Sequence, residues 1–219
     1  MNMKEFLDQY VKALVRSMKR VMPQDQVQQA IQRAITALMT KTNSTKTNQE
    51  TFMEHFLQGT KHSQQDLLFA FNNFYNNEYK GLRAYTKPHP VAKEVVHQLA
   101  GWGYRLILAT NPLYPRHAIL ERMKWAGVDN APWELITTYE DYHYCKPNPG
   151  FFAELLAKIG LDGAQALMVG NNTNEDLSAS ALGIRTYLAT DNLIDRGNSA
   201  YKPDFKGKLS DLPACLTQI

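Results

Sequence analysis

The stretch that decides the fold is residues 167–176, which read Leu-Met-Val-Gly-Asn-Asn-Thr-Asn-Glu-Asp. It begins as an apolar run of the kind found in buried strands, and it stops abruptly at a glycine and small polar residues. A second apolar run, residues 106–109, stops in the same way at Thr110 and Asn111. Ligands gather beyond the carboxyl ends of parallel strands, so the two runs predict a binding site at one edge of a sheet.

A lysine followed by a Pro-x-Pro turn lies between the two runs. Residues 145–149 read Cys-Lys-Pro-Asn-Pro, and Pro147 favours an extended backbone at Lys146. An ammonium group held in this way can neutralise negative charge on a phosphate group during its transfer. A lysine in a loop is more often a plain surface residue, and for Lys146 taken alone this alternative is the stronger one.

The composition is that of an ordinary soluble globular protein of one or two domains. The chain has 219 residues, 44% of them hydrophobic and 21% charged, with a formal net charge of +3. This small charge gives no electrostatic reason to expect nucleic acid or a membrane as a partner. The two cysteines form no disulfide framework, which predicts a reducing, cytoplasmic location. No apolar run approaches the roughly 18–20 residues of a membrane-spanning helix.

The chain divides into two parts with different sequence patterns. Residues 1–86 carry apolar stripes of helical period and no strand pattern, which predicts a small all-helical domain. Residues 87–90, Lys-Pro-His-Pro, mark a boundary because proline disfavours helix at the residue before it. Helix and strand patterns alternate over residues 87–219. This alternation predicts an α/β domain built on a Rossmann-like, doubly wound parallel sheet with helices on both faces.

Strands and helices are predicted to alternate along the second part. Strands are predicted at residues 105–109, 134–138, 166–169 and 185–189, with a last short strand from Phe205. Helices are predicted at residues 91–100, 115–126, 149–159 and 174–182, with a final turn or helix at 209–216. Most of these segments end at glycine or begin at proline, as helices commonly do.

Polar side chains at the predicted sheet edge suit an anion and a cation. Thr110 and Asn111 offer hydroxyl, amide and backbone N–H groups to phosphate oxygens, although they equally suit a turn and a helix cap. Asp176 is a hard oxygen donor suited to Mg²⁺, but an acid also favours a helix N-terminus. Asn171 and Asn172 are equally suited to turns and caps. Cys145 lies beside Lys146, and we interpret it as packed and unreactive.

Taken together, the three segments resemble the haloacid dehalogenase-like hydrolase superfamily. The likeness extends over about residues 87–216, and the helical part resembles the inserted all-helical cap of that family. The second motif of the family is an apolar strand ending in Thr or Ser, here Thr110. The third is a lysine, often before a proline, here Lys146. The fourth is an apolar strand, a glycine and two acids, here Gly170 through Asp176.

The resemblance implies roles for these residues. Thr110 and Asn111 would bind the phosphoryl oxygens, and Lys146 would offset their charge. Asp176 would help to hold Mg²⁺ or orient Lys146, and Asn171 or Asn172 stands at the place of the other acid of the fourth motif, where its amide oxygen could still bind Mg²⁺. The implied function is a Mg²⁺-dependent phosphatase for a small phosphorylated metabolite. The cap would select the substrate by closing over the site.

The sequence departs from the family at its first motif, Asp-x-Asp, which supplies the nucleophile and the acid/base. No such segment precedes the helical part. The strand that carries it lies in the centre of the family's sheet, between the strands that end here at Thr110 and Gly170. We therefore expect the chain as written to be inactive, and we expect Met1 to be an internal methionine of a longer natural protein or a misassigned start.

Several alternatives stay open on the sequence alone. A non-catalytic phosphate-binding or regulatory protein of the same family is the main rival, since Asn171 and Asn172 stand where an acid is usual. A generic Rossmann-like nucleotide binder is less favoured, because no Gly-x-Gly-x-x-Gly turn follows any predicted strand. The substrate, the oligomeric state and the choice between phosphatase, dehalogenase and phosphomutase are not determined.

Overall fold

The first part of the chain is helical in the structure, a computed structural model that describes residues 3–19, 21–43 and 45–218. Its helices are α1 (Met3–Met18), α2 (Gln24–Thr40), α3 (Asn48–Leu57), α4 (Gln64–Asn76) and α5 (Glu78–Gly81), followed by a 3₁₀ turn at Leu82–Tyr85. No strand lies among the described residues before position 87, in line with the helical periodicity. None of the described helices of the whole chain is long and apolar enough to cross a bilayer.

An aromatic core holds these helices together and joins them to the second part of the chain. Phe56, Phe74 and Tyr79 are almost completely buried in it. The Tyr79 ring stacks on the ring of Trp125, which belongs to the second part, with 5.1 Å between the ring centroids. Offset aromatic pairs of this kind stabilise a core beyond their buried area. The helical part is therefore packed onto the α/β part.

The second part alternates helices and strands much as predicted. Its helices are α6 (Ala92–Gly101), α7 (Arg116–Ala126), α8 (Pro149–Ile159) and α9 (Leu212–Leu216). Its strands are β1 (Leu106–Leu108), β2 (Trp133–Ile136), β3 (Leu167–Gly170), β4 (Arg185–Ala189) and β5 (Phe205–Gly207). Short 3₁₀ turns lie at Gly163–Gln165, Leu177–Leu182 and Leu209–Asp211.

One predicted helix differs in the structure. Residues 174–182 form turns and then a 3₁₀ segment, Leu177–Leu182, where an α-helix was predicted. Two serine hydroxyls bond backbone carbonyls in this segment: Ser178 Oγ donates to Glu175 O at 2.7 Å, and Ser180 Oγ donates to Leu177 O at 2.8 Å. Serine side chains that bond nearby backbone groups compete with the regular helical pattern, which accounts for the tighter turn.

The strands are parallel, and they form two separate sheets. One sheet has the order β1-β2 and the other β3-β4-β5. Among the described residues no strand lies between β1 and β3, and no hydrogen bond joins these two strands. The predicted parallel sheet with helices on both faces is thus present, but it is interrupted in its middle.

Two helices bridge the interruption, one on each face. On one face, Val95 of α6 shares an apolar cluster with Val169 of β3, and Val96 of α6 shares another with Leu108 of β1. On the other face, Phe151 of α8 lies in a cluster that contains residues of both β1 and β3. The two sheets are therefore halves of a single layer.

Asn48, the first residue of α3, connects the helical part to the loops beyond the strands. Its side-chain Nδ2 donates to the carbonyl oxygens of Pro112 at 3.2 Å and Tyr144 at 3.3 Å. Its backbone N–H donates to the carbonyl oxygen of Tyr142 at 2.7 Å. Asn48 is completely buried. No water molecule is therefore at hand to replace its amide as the donor to these carbonyl oxygens.

Replacing this asparagine should weaken the whole structure. The Asn48→Ala variant leaves buried carbonyl oxygens without a donor, and we expect a loss of about 2–3 kcal/mol in the free energy of unfolding, measured by urea denaturation. The exposed Asn72 of α4 provides the control. If Asn48→Ala were no more destabilising than Asn72→Ala, the junction would not depend on this side chain.

Candidate functional site

The segments predicted to form a site meet at one rim of the interrupted layer. Asn111 follows β1, and its side chain is bonded to the backbone of Lys146 in both directions. The Lys146 N–H donates to Asn111 Oδ1 at 3.1 Å, and Asn111 Nδ2 donates to the Lys146 carbonyl at 3.3 Å. Asn111 Nδ2 also donates to Glu175 Oε2, beyond β3, at 3.0 Å. One amide thus connects the ends of β1 and β3 with the lysine loop.

Lys146 and Asp176 form a buried ion pair at the centre of this rim. Lys146 Nζ donates to Asp176 Oδ1 at 2.8 Å, and the two residues are only 2% and 8% exposed. The ammonium also lies 5.5 Å and 5.6 Å from the ring centroids of Phe151 and Phe152, where a cation is attracted to an aromatic face. A buried ammonium needs such partners because it has lost its hydration.

The backbone that leaves β3 holds Asp176 in place. The N–H groups of Asn171 and Asn172 both donate to Asp176 Oδ2 at 2.9 Å. The side chain folds back over Gly170 so closely that an added Cβ would lie 2.2 Å from Asp176 Oδ2. Position 170 therefore accepts only glycine while Asp176 keeps this orientation.

Thr110 lies half-buried at the same rim, directly after β1. Its carbonyl oxygen accepts a hydrogen bond from Thr137 Oγ1 at 2.6 Å, which fixes the backbone at this point. The hydroxyl of Thr110 makes no hydrogen bond to any residue that the structure describes. This hydroxyl is therefore available to a ligand.

The residues predicted to hold Mg²⁺ are engaged with protein groups in the structure. Both oxygens of Asp176 already accept hydrogen bonds. Asn172 Oδ1 accepts the N–H groups of residues 174 and 175, and the Asn171 amide donates to the carbonyl of Asn192. Within residues 3–19, 21–43 and 45–218, no three His, Cys, Asp or Glu side chains form a group that could hold a metal ion. The metal assignment stays a prediction, while the capping use is present in the structure at Asn172.

The sequence did not indicate the loop that closes over the end of β3. The Ile194 N–H donates to the Asn171 carbonyl at 2.8 Å, and the Thr173 N–H donates to the Ile194 carbonyl at 3.0 Å. Thr173 Oγ1 also donates to Asp195 Oδ1 at 3.1 Å. Residues 190–199 have neither helical nor strand periodicity, so no local signal placed them at the rim. No local signal in the sequence placed Asn48 or Thr137 at the rim either.

Cys145 is packed beside the site, as we interpreted it from the sequence. It is 4% exposed, and burial raises the pKa of its thiol to about 12. The nearby Glu175 carboxylate raises this pKa further, and the Lys41 ammonium opposes the increase. The reactive species of cysteine is the thiolate, so a raised pKa makes this thiol unreactive at neutral pH.

The chain matches a known family over most of its length. A family model of haloacid dehalogenase-like hydrolases matches residues 10–183. The chain therefore belongs to the haloacid dehalogenase-like hydrolases, as its three motifs suggested.

Curated relatives include proteins named as pyrophosphatases. A region of 157 residues is 26% identical to the pyrophosphatase PpaX of Bacillus cereus and covers 71% of this chain and 70% of the relative. Over the same length it is 24% identical to the PpaX of Bacillus anthracis, again with 71% and 70% coverage.

Solved structures with the same fold cover nearly the whole chain. A predicted phosphoglycolate phosphatase from Haemophilus somnus aligns with a TM-score of 0.57 and 16% identity over 97% of this chain and 92% of its own. L-2-haloacid dehalogenase from Xanthobacter autotrophicus, with chloropropionic acid covalently bound, aligns with a TM-score of 0.55 and 15% identity over 96% and 86%. At these identities the likeness shows the fold, an α/β Rossmann-like core with helical elements.

Removing the charge of Asp176 should be costly because Lys146 would keep a buried, unpaired charge. We expect Asp176→Asn to lower the free energy of unfolding by about 3 kcal/mol in urea denaturation. The control is Glu54→Gln, which breaks the 2.7 Å pair of Lys46 and Glu54, two side chains that are 51% and 54% exposed. That variant should leave the midpoint nearly unchanged. Equal shifts for the two variants would show that burial does not decide the strength of these pairs.

Cys145 should resist alkylation in the folded protein. At about pH 8 its raised pKa leaves almost no thiolate, so iodoacetamide should modify the half-buried Cys215 first, as peptide mass spectrometry would show. In about 6 M urea both thiols should react at similar rates. Rapid modification of Cys145 in the native state would contradict the burial described above.

Proposed function

We propose that this chain is a phosphatase-type member of its family whose rim binds the phosphate group of a small phosphorylated metabolite. The observation that carries the proposal is the buried pair of Lys146 and Asp176 at the point where β1 and β3 end. Further support comes from the relatives named as pyrophosphatases, which match over most of the chain. Thr110 and Lys146 would be the residues that contact the phosphate.

Each side chain has a distinct part in this proposal. The Thr110 hydroxyl would donate to a phosphate oxygen, and the Lys146 ammonium would attract the negative charge of the group. Asp176 acts as a positioning residue, because its carboxylate holds the lysine while its other oxygen is anchored by two backbone N–H groups. The Asn111 side chain is engaged with Lys146 and Glu175, so we propose that Asn111 contributes its backbone N–H to the ligand.

We also propose that the chain as written binds phosphate but does not turn over phosphate esters. The family resemblance implies attack by an aspartate of an Asp-x-Asp segment, and the sequence contains none. The carboxylates near the rim, Glu175 and Asp176, already accept hydrogen bonds from side chains or backbone. The proposed phosphate binding rests on hydrogen bonds and on the lysine charge.

The helical part, residues 1–86 of the expected domain division, would act as the cap. Its α3 contacts the rim loops through Asn48. An apolar crevice lies between the helices and the loop after β1, and its lining includes Tyr10, Tyr75 and Tyr114. A surface of this kind is suited to select the part of a substrate that carries no phosphate.

A non-catalytic role in binding or regulation is the second candidate. It is favoured by Asn171 and Asn172, one of which stands where the family resemblance leads one to expect an acid. In the structure the Asn171 amide donates to the Asn192 carbonyl, and Asn172 caps a turn.

Inorganic phosphate is the probe for the proposed site. We expect it to bind with a Kd on the order of 1 mM in isothermal titration calorimetry. Thr110→Val, which removes only the hydroxyl, and Lys146→Met should each weaken binding about tenfold, since each removes a direct contact. Lys158→Met, on the outer side of α8, is the control and should bind as the original chain does. Circular dichroism would verify that each variant is folded.

The catalytic part of the proposal has its own measurement. Hydrolysis of para-nitrophenyl phosphate with added Mg²⁺ should not exceed that of the Lys146→Met variant. Turnover that depends on Lys146 would show that the chain already has a complete active site. Absence of phosphate binding to the folded protein would reject the site itself.

A further inference from the structure

The apolar crevice between the helical part and the loop after β1 begins where the rim ends. Leu113, one of its lining residues, lies just after Asn111, and the Leu113 N–H donates to the Asn111 carbonyl at 2.8 Å. Tyr139, another lining residue, lies just after Thr137, whose hydroxyl donates to the Thr110 carbonyl at 2.6 Å. The backbone from Thr110 to Leu113 spans at most about 11 Å, so the crevice opens within that distance of the rim.

Helix α3 connects the rim to the crevice from the side of the helices. Its first residue, Asn48, donates to the carbonyl oxygens of Pro112 and Tyr144 beside the rim. Phe52 lies one helical turn further along the same face of α3, and it lines the crevice. The crevice is therefore a continuation of the rim towards the helical part.

The walls of the crevice are apolar. Its described lining residues are all aromatic or aliphatic. The hydroxyls of Tyr10 and Tyr75 hydrogen-bond to each other at 2.9 Å. Burial is the main cause that raises the pKa of both phenols well above the usual range, as expected where water has little access. A ligand group in the crevice therefore meets a largely apolar surface with little water.

The enclosed volume limits what can enter. It is about 50 Å³, whereas a cavity of about 150 Å³ is the size that binds benzene. The crevice therefore encloses the last few atoms of an aliphatic chain and not a whole ring. A sugar or polyol chain would give up the water around its hydroxyl groups without finding partners on these walls, which costs free energy.

We propose that the crevice binds the organic part of the substrate, and that this substrate is the phosphate monoester of a short aliphatic alcohol. The inference rests on the proposed binding of phosphate at the rim, since Thr110 and Lys146 would hold the phosphate group while the chain extends into the crevice. Each methylene group that enters the crevice leaves water and adds to the affinity. The walls would thus select apolar esters over the phosphates of sugars and polyols.

Two esters with the same carbon chain test this selection. Pentyl phosphate and ribitol 5-phosphate have the same carbon chain and one phosphate group each, and they differ only in the hydroxyls of ribitol. In isothermal titration calorimetry, pentyl phosphate should bind about tenfold more tightly than inorganic phosphate, the gain expected when about two methylene groups leave water. Ribitol 5-phosphate should bind no more tightly than inorganic phosphate.

A change in the wall locates the bound chain. Ile35 lines the crevice and is 41% exposed, so Ile35→Gln should fold. It should reduce the advantage of pentyl phosphate over inorganic phosphate from about tenfold to about threefold. The matched control is Met39→Gln, one turn further along α2, where Met39 is 40% exposed and lies outside the lining. This control should keep the full advantage. Each advantage is a ratio of two affinities measured on one protein, so a general loss of stability does not alter it.

The outcomes separate this inference from the proposed function. If inorganic phosphate binds but pentyl phosphate binds no more tightly, the crevice has no part in selection, and the phosphate site stands without it. Equal binding of the two esters would also overturn the inference, as would equal advantages in Ile35→Gln and Met39→Gln. If the folded chain binds neither inorganic phosphate nor the esters, the proposed function fails and this inference fails with it.

Discussion

The site depends on the requirement that a buried ammonium have an opposite charge beside it. Lys146 is 2% exposed, and Asp176 is the carboxylate that pairs with it. This requirement orients Asp176 back over the end of β3, and that orientation in turn excludes any side chain at Gly170. The ends of β1 and β3 are brought together by the same network, because Asn111 connects the lysine backbone to Glu175.

The fold holds this network in place with an incomplete sheet. The layer is divided between β1 and β3, and α6 and α8 hold its halves together by packing on both sides of the division. Apolar packing is not directional, so it tolerates an interruption of the sheet. The helical part adds a further constraint through its aromatic core and the buried Asn48.

Much of the fold and part of the site could be predicted from local patterns. Apolar runs that stop at polar residues located β1 and β3 to within about two residues, the usual uncertainty of element ends, and the prolines and glycines located most helices. The order of the motifs around Thr110, Lys146 and Asp176 indicated that these segments meet at one rim, although their roles remain proposals. The helix predicted over residues 174–182 was wrong because serine hydroxyls redirected the backbone.

The sequence by itself determined the alternation of helices and strands, the separation of a helical part from an α/β part, and the membership of a hydrolase family. These follow from periodicity and motif order, which are local properties of a chain. Only the tertiary structure decided how the polar groups are used: Asp176 is engaged by Lys146 and two backbone N–H groups, and Asn172 caps a turn. It also decided that Asn48 contacts loops some 60 to 100 positions away and that the sheet stays open in its middle. Contacts between distant segments depend on packing in three dimensions, and no pattern along the chain records them.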